Sequence, residues 1–143
     1  MSDPLYAKDL LRLAANAIGA GRLDPFDAEG VAHNRTCGDK VSVTLRLDEH
    51  GRVTAIAHET NACVLAQASS SILGAQLAGA DRRDVQELRA AVETMLYDGP
   101  TPPAPFGDYT ALTGAALYRN RHACVLLPID AVLSALKTDR GAD

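Results

Sequence analysis

Three cysteines, Cys37, Cys63 and Cys124, constrain this 143-residue chain more than any other feature, because they stand too far apart to form a local site. They are separated by 26 and 61 positions, with no Cys-x-x-Cys pair, so any centre they share must be assembled by folding. Cys37 is followed by Gly38-Asp39, just ahead of an alternating strand pattern, whereas Cys63 and Cys124 each open an apolar run of helical period. A thiol at a helix N-terminus meets unpaired backbone N–H groups and the positive end of the helix dipole, and both favour the thiolate. Three thiols and the Asp39 carboxylate make four ligands, the number a tetrahedral soft-metal site takes. Read singly, the same residues fit plainer roles: each cysteine as a small buried hydrophobe, Asp39 as a turn residue before a strand.

The pattern along the chain supplies an architecture. Asp3-Pro4 is an N-cap with Pro at the first helical position, and Tyr6, Leu10, Leu13, Ala14 and Ala17 recur at helical spacing until Gly19 and Gly21. Residues 22–36 read as irregular, with a short strand near Val31. Val41, Val43, Leu45 and Leu47 then alternate with polar residues as in a half-buried strand. Asp48-Glu49-His50-Gly51 supplies a turn, and Val53 to Glu59 return as the antiparallel partner. From Cys63 the period becomes helical, with Leu65, Ala68, Ile72 and Ala75 on one face. Asp81 and Asp84 form a capping pair ahead of a face of Val85, Leu88, Val92 and Met95. The Pro-rich stretch 98–105 breaks regular structure and reads as a connection within one domain spanning residues 1–143. Ile129, Val132, Leu133 and Leu136 mark a last helix with Pro128 in its first turn, and residues 138–143 read as a frayed tail. Helix, short strands, then helices favour an α+β sheet with helices on one face.

Several function classes are disfavoured. Net charge is −4 and no Lys/Arg cluster stands out, which argues against nucleic acid. No apolar run approaches membrane-spanning length, and the N-terminus lacks a secretory layout. An odd cysteine count cannot pair fully within the chain, so a reducing cytoplasm is the expected location. Ser69-Ser70-Ser71 lacks a Gly-x-Ser-x-Gly elbow and is read as helix packing. His50 falls in the turn, and His33 and His58 have no motif around them.

Cys37-Gly38-Asp39-Lys40-Val41, then Ala62-Cys63 followed by Gln67-Ala68-Ser69-Ser70-Ser71, then Arg121-His122-Ala123-Cys124 entering a Leu-Leu-Pro helix, resembles the iron–sulfur cluster scaffold family. That family includes the IscU and SufU proteins and the N-terminal domain of NifU, and the resemblance runs from about Tyr6 to Leu136. It implies a three-stranded antiparallel sheet with helices, and a metal or cluster held by Cys37, Asp39, Cys63 and Cys124. Arg121, three residues before Cys124, looks like the Arg-x-x-Cys of the SufU-type branch, where IscU-type members place His at the position of Ala123. The long interval between Cys63 and Cys124 also resembles SufU, whereas Asn61-Ala62 stands where family members usually have Gly.

The resemblance implies a scaffold or sulfur acceptor carrying a [2Fe–2S] cluster or Zn²⁺, with a cysteine desulfurase and recipient apo iron–sulfur proteins as partners. Cys124 is the expected persulfide acceptor; Arg121 either offsets the anionic ligand set, pairs with Asp39 when metal is absent, or is a solvated surface arginine, and His122 is a partly exposed loop residue that could turn inward as a spare ligand. A zinc-dependent SufU-type sulfurtransferase and a non-catalytic interaction domain locked by structural zinc are the alternatives. The oligomeric state is left open by the sequence.

Overall fold

The segments bearing Asp39, Cys63 and Cys124 are brought together by a three-stranded antiparallel sheet in the order β1-β2-β3, with helices packed on one face. The computed structural model describes residues 8–35 and 38–138. Cys37, the Asp3-Pro4 cap, Tyr6 and the tail beyond Thr138 lie outside the described residues.

Helix α1 (Lys8–Asn16) buries Leu10 and stops just short of the expected Ala17, which takes a left-handed φ of 45°. The segment read as irregular holds a full strand, β1 (Ala28–Asn34), paired with β2 (Asp39–Leu47) from Ala28↔Leu45 to Asn34↔Asp39. Its inward residues are small because a helix lies directly on them. A Cβ on Gly30 would run into the backbone of Ala131 and Ala135. The alternation in β1 is therefore small against large, which a hydrophobicity pattern does not register.

β2 and its partner β3 (Val53–Asn61) follow the expected hairpin, with Val41, Val43 and Leu45 buried. Asp48 closes the turn by accepting the N–H groups of His50 and Arg52 on Oδ1, at 2.8 and 3.0 Å. Those bonds hold its carboxyl below the usual value, because they favour the charged form.

Helix α2 (Val64–Gln76) buries Leu65, Ala68 and Ile72 as its period implies, but Ala75 is exposed. The serines Ser69, Ser70 and Ser71 are buried instead, because α2 is enclosed on several sides and each hydroxyl finds a partner. Ser71 accepts from the Ile18 N–H at 3.0 Å, Ser70 bonds Thr60 Oγ1 at 2.8 Å, and Ser69 donates to the Val125 carbonyl at 2.8 Å. Helix α3 (Arg82–Leu96) opens with the Asp81–Asp84 capping box, and Val85, Leu88, Val92 and Met95 all face the core.

Beyond residues 98–106, which form neither helix nor strand, the chain makes 3₁₀ turns over Gly107–Leu117 and Arg119–Arg121 that the sequence reading did not anticipate. Buried Tyr109 and Leu112 anchor them, and the Tyr109 hydroxyl meets Ser69 Oγ at 2.7 Å. Helix α4 (His122–Thr138) begins earlier than expected, so Pro128 lies inside it and not in its first turn. The buried run Val125, Leu126 and Leu127 makes those residues part of the helix, since their side chains pack in the core only from there. Pro128 has no N–H to offer the Cys124 carbonyl one turn earlier, a loss placed at the helix end that carries the cysteine.

Candidate metal centre

Each described ligand candidate sits at the start of an element. Asp39 is the first residue of β2, opposite Asn34. The chain reaches it through Gly38, whose φ of 77° is a left-handed conformation that a side chain would strain, and whose N–H donates to the Asn34 carbonyl at 2.8 Å. Cys63 is the N-cap of α2, with extended backbone (φ −69°, ψ 173°). Cys124 lies in the first turn of α4 and is 3% exposed.

The ligand atoms of Asp39, Cys63 and Cys124 all lie within 4.8 Å of one another. Cys124 Sγ is 3.8 Å from Asp39 Oδ2, and neither Cys63 nor Cys124 is in a disulfide. The Cys63 thiol is pulled down to about 5. The hydrogen bond from Cys124 contributes most; burial opposes it, and the Ala66 and Leu65 N–H groups and the Arg121 charge add smaller pulls the same way. The Cys63 side chain closes no cap hydrogen bond with the first turn of α2.

Ligand sulfurs around a tetrahedral zinc stand roughly 3.8 Å apart, given Zn–S bonds of about 2.3 Å. The observed spacing is within side-chain rotation of that value, and two thiols with one carboxylate suit both zinc and iron–sulfur chemistry. Of the sequence candidates, Asp39, Cys63 and Cys124 come together, with the Arg121 charge acting on Cys63. Cys37 lies outside the described residues. The His122 ring is engaged elsewhere: its Nε2 lies 3.4 Å from the Ala116 carbonyl, and Tyr97 meets it edge-on with ring centres 5.1 Å apart. Its Nδ1 is buried without a hydrogen-bond partner.

A polar clip behind Cys63 was missed in the sequence. Gln67 Nε2 donates to the Thr60 carbonyl at 2.8 Å, and the Gln67 N–H reaches the Cys63 carbonyl at 3.0 Å. Thr60 Oγ1 bonds both Ser70 Oγ and His58 Nδ1, and His58 Nε2 lies 2.8 Å from the Ile18 carbonyl. Burial pushes the His58 pKa down, so the neutral ring is favoured. Two inward residues of β3, His58 and Thr60, and two of α2, Gln67 and Ser70, thus fix the Asn61-Ala62-Cys63 junction. The one available signal was a His and a Thr two residues apart on a strand, each at an inward position.

Comparison with known proteins identifies the family and the fold. The family model for the NifU-like N terminal domain matches residues 5–125. The chain is 31% identical over 124 residues to the iron–sulfur cluster assembly scaffold protein IscU of Streptococcus pyogenes serotype M1, covering 85% of this chain and 76% of that protein. The crystal structure of a nitrogen-fixing NifU-like protein (N-terminal) from Brucella abortus superposes with a TM-score of 0.91 at 35% identity, over 99% of this chain and 98% of that one. An iron–sulfur cluster assembly scaffold protein for the SUF system from Fervidobacterium islandicum shares the fold, with a TM-score of 0.82 at 21% identity over 96% and 100% of the two chains.

Proposed function

Because the chain belongs to the NifU-like N-terminal domain family, we propose that it is an iron–sulfur cluster assembly scaffold of the cytoplasm. Its cargo is a [2Fe–2S] cluster held by Cys37, Asp39, Cys63 and Cys124, built with sulfur from a cysteine desulfurase and passed to recipient apo iron–sulfur proteins. One observation carries this reading: Asp39, Cys63 and Cys124 converge within 4.8 Å from three separate elements. The scaffold named in the Streptococcus pyogenes relative supports it.

Cys124 receives the sulfur. Its thiolate attacks the terminal sulfur of the desulfurase persulfide, a new S–S bond forms on Cys124, and the desulfurase cysteine leaves as thiolate with the electron pair of the broken bond. The proton stays with the transferred sulfur and no net oxidation occurs. Asp39 is the exchangeable corner, since a carboxylate holds a soft centre less firmly than thiolate does.

A second reading, a zinc-dependent sulfurtransferase of the SufU type, is favoured by Arg121 three residues before Cys124 and by its charge acting on the site. In that reading the more exposed thiol with the lowered pKa, Cys63, competes with Cys124 as acceptor. Metal analysis with an anaerobic absorption spectrum of freshly purified protein separates the two. Iron, sulfide and charge-transfer bands support the scaffold, and zinc without visible absorption supports the sulfurtransferase. A chain that binds neither overturns both.

A further inference from the structure

A persulfide carries sulfane sulfur, whereas an iron–sulfur cluster is built from sulfide, so the delivered atom must gain electrons before it is incorporated. The described site holds a second thiol beside the first. Neither Cys63 nor Cys124 is in a disulfide, and their sulfurs lie within 4.8 Å. Cys124 is 3% exposed, which screens it from small thiols in solvent, so a reductant already in contact has the advantage of proximity. Cys63 is partly exposed at the extended N-cap of α2, and no cap hydrogen bond pins its sulfur to the helix end. A disulfide needs the sulfurs at about 2.05 Å, a closure that rotation of two side chains shares between them.

We propose that the Cys63–Cys124 pair discharges a bound persulfide as hydrosulfide by closing a disulfide on itself, an inference that rests on the persulfide-acceptor reading above. The Cys63 thiolate attacks Sγ of the Cys124 persulfide. The persulfide S–S bond breaks, its electron pair leaves with the terminal sulfur as HS⁻, and the Cys63–Cys124 bond forms. The sulfane sulfur is reduced to sulfide and the two cysteine sulfurs together are oxidised by the same number of electrons. Hydrosulfide is a weaker base than an alkyl thiolate, so attack on the inner sulfur expels the better leaving group. With the sulfur on Cys63, Cys124 attacks after losing its proton to solvent, and the products are identical. An external dithiol reductant returns the pair to thiols before another round. A metal ion holding both thiolates keeps them from closing.

The test uses the full metal-free chain, loaded with sulfur from inorganic polysulfide and then desalted. Released sulfide is trapped with a bimane reagent and linked peptides are identified by mass spectrometry. The expected result is about one sulfide for each Cys63–Cys124 linkage, with release falling ~tenfold or more in Cys63→Ser and Cys124→Ser, which retain their sulfur. Zinc added before loading suppresses both products. Release from either variant that matches the wild type, a wild-type chain that keeps its persulfide, or linkage through Cys37 or between chains would overturn the proposal. Oxidised glutathione supplies a check independent of loading: it must link the same two residues in the metal-free chain, and failure to do so also overturns it. No desulfurase takes part. A chain that discharges polysulfide sulfur but accepts none from a cysteine desulfurase would therefore overturn the acceptor reading and leave the discharge chemistry standing.

Discussion

The starts of α2 and α4 each bring a cysteine to the same point, yet they hold it differently. Cys63 caps α2 on extended backbone, partly exposed, with its thiol pulled down to about 5 by Cys124, two backbone amides and Arg121. Cys124 sits inside the first turn of α4, 3% exposed, with its Sγ 3.8 Å from Asp39 Oδ2. A thiol at a helix N-terminus is thus not one environment. The cap position leaves the sulfur partly exposed, whereas the first-turn position buries it in the core. Paired this way, one sulfur is ready as a thiolate and the other is protected.

Removing either sulfur has the largest expected effect. Cys63→Ser and Cys124→Ser each lower zinc affinity by more than ~100-fold in a chelator competition, beyond the loss typical of a supporting residue. The two variants part company in sulfur transfer: Cys124→Ser no longer accepts labelled persulfide sulfur from a matched desulfurase, with its circular dichroism unchanged. Labelling that survives in Cys124→Ser and is lost in Cys63→Ser would reverse the roles assigned to the two helix starts.

Next in size is the pH profile of the metal-free chain. Cys63 alkylation by iodoacetamide is expected to show a midpoint near 5, and Arg121→Ala moves it upward. Because the folded value lies below the unfolded one, the ionised thiol contributes its full stabilisation above the ordinary thiol range and loses it as pH falls through about 5. The difference in melting temperature between the metal-free wild type and Cys63→Ala should therefore widen from pH 5 toward pH 9. A gap that stays flat over that window would show that Cys63 is an ordinary thiol.

How much of this was legible in the sequence differs by region. The β2–β3 hairpin could be read because Val41, Val43 and Leu45 alternate with polar neighbours, and α3 because its capping box and apolar face are both local. Of β1 only a short strand near Val31 could be read, because α4 packs so close that Ala28 and Gly30 replace the large residues that mark a strand. The start of α4 was read two ways: the apolar run opened by Cys124 agrees with a helix from His122, whereas the placing of Pro128 in a first turn does not. The gathering of Asp39, Cys63 and Cys124 was expected from family resemblance, since spacings of 26 and 61 residues carry no geometry of their own. The clip of His58, Thr60, Gln67 and Ser70 went unread because each residue is unremarkable until β3 and α2 face each other.

A smaller effect is expected at Asp39. In Asp39→Ala a reconstituted cluster still forms, but its transfer to an apo-acceptor slows by ~tenfold or more with the exchangeable corner gone. Faster transfer, or a lower melting temperature of the metal-free variant with transfer unchanged, would make Asp39 a turn residue only. Smallest is Gln67→Ala, which releases the Cys63 junction from the Thr60 carbonyl and weakens zinc binding by ~tenfold at most, while Gln67→Glu fails to restore it for want of the donor.

The central claim is that residues from β2, α2 and α4 form one ligand set, and X-ray absorption of the zinc-loaded protein tests it most directly. The account predicts a first shell of sulfur at about 2.3 Å with a single oxygen or nitrogen near 2.0–2.2 Å, and one sulfur fewer in both Cys63→Ser and Cys124→Ser. A first shell of oxygen and nitrogen alone, or a sulfur count unchanged by either substitution, would contradict it.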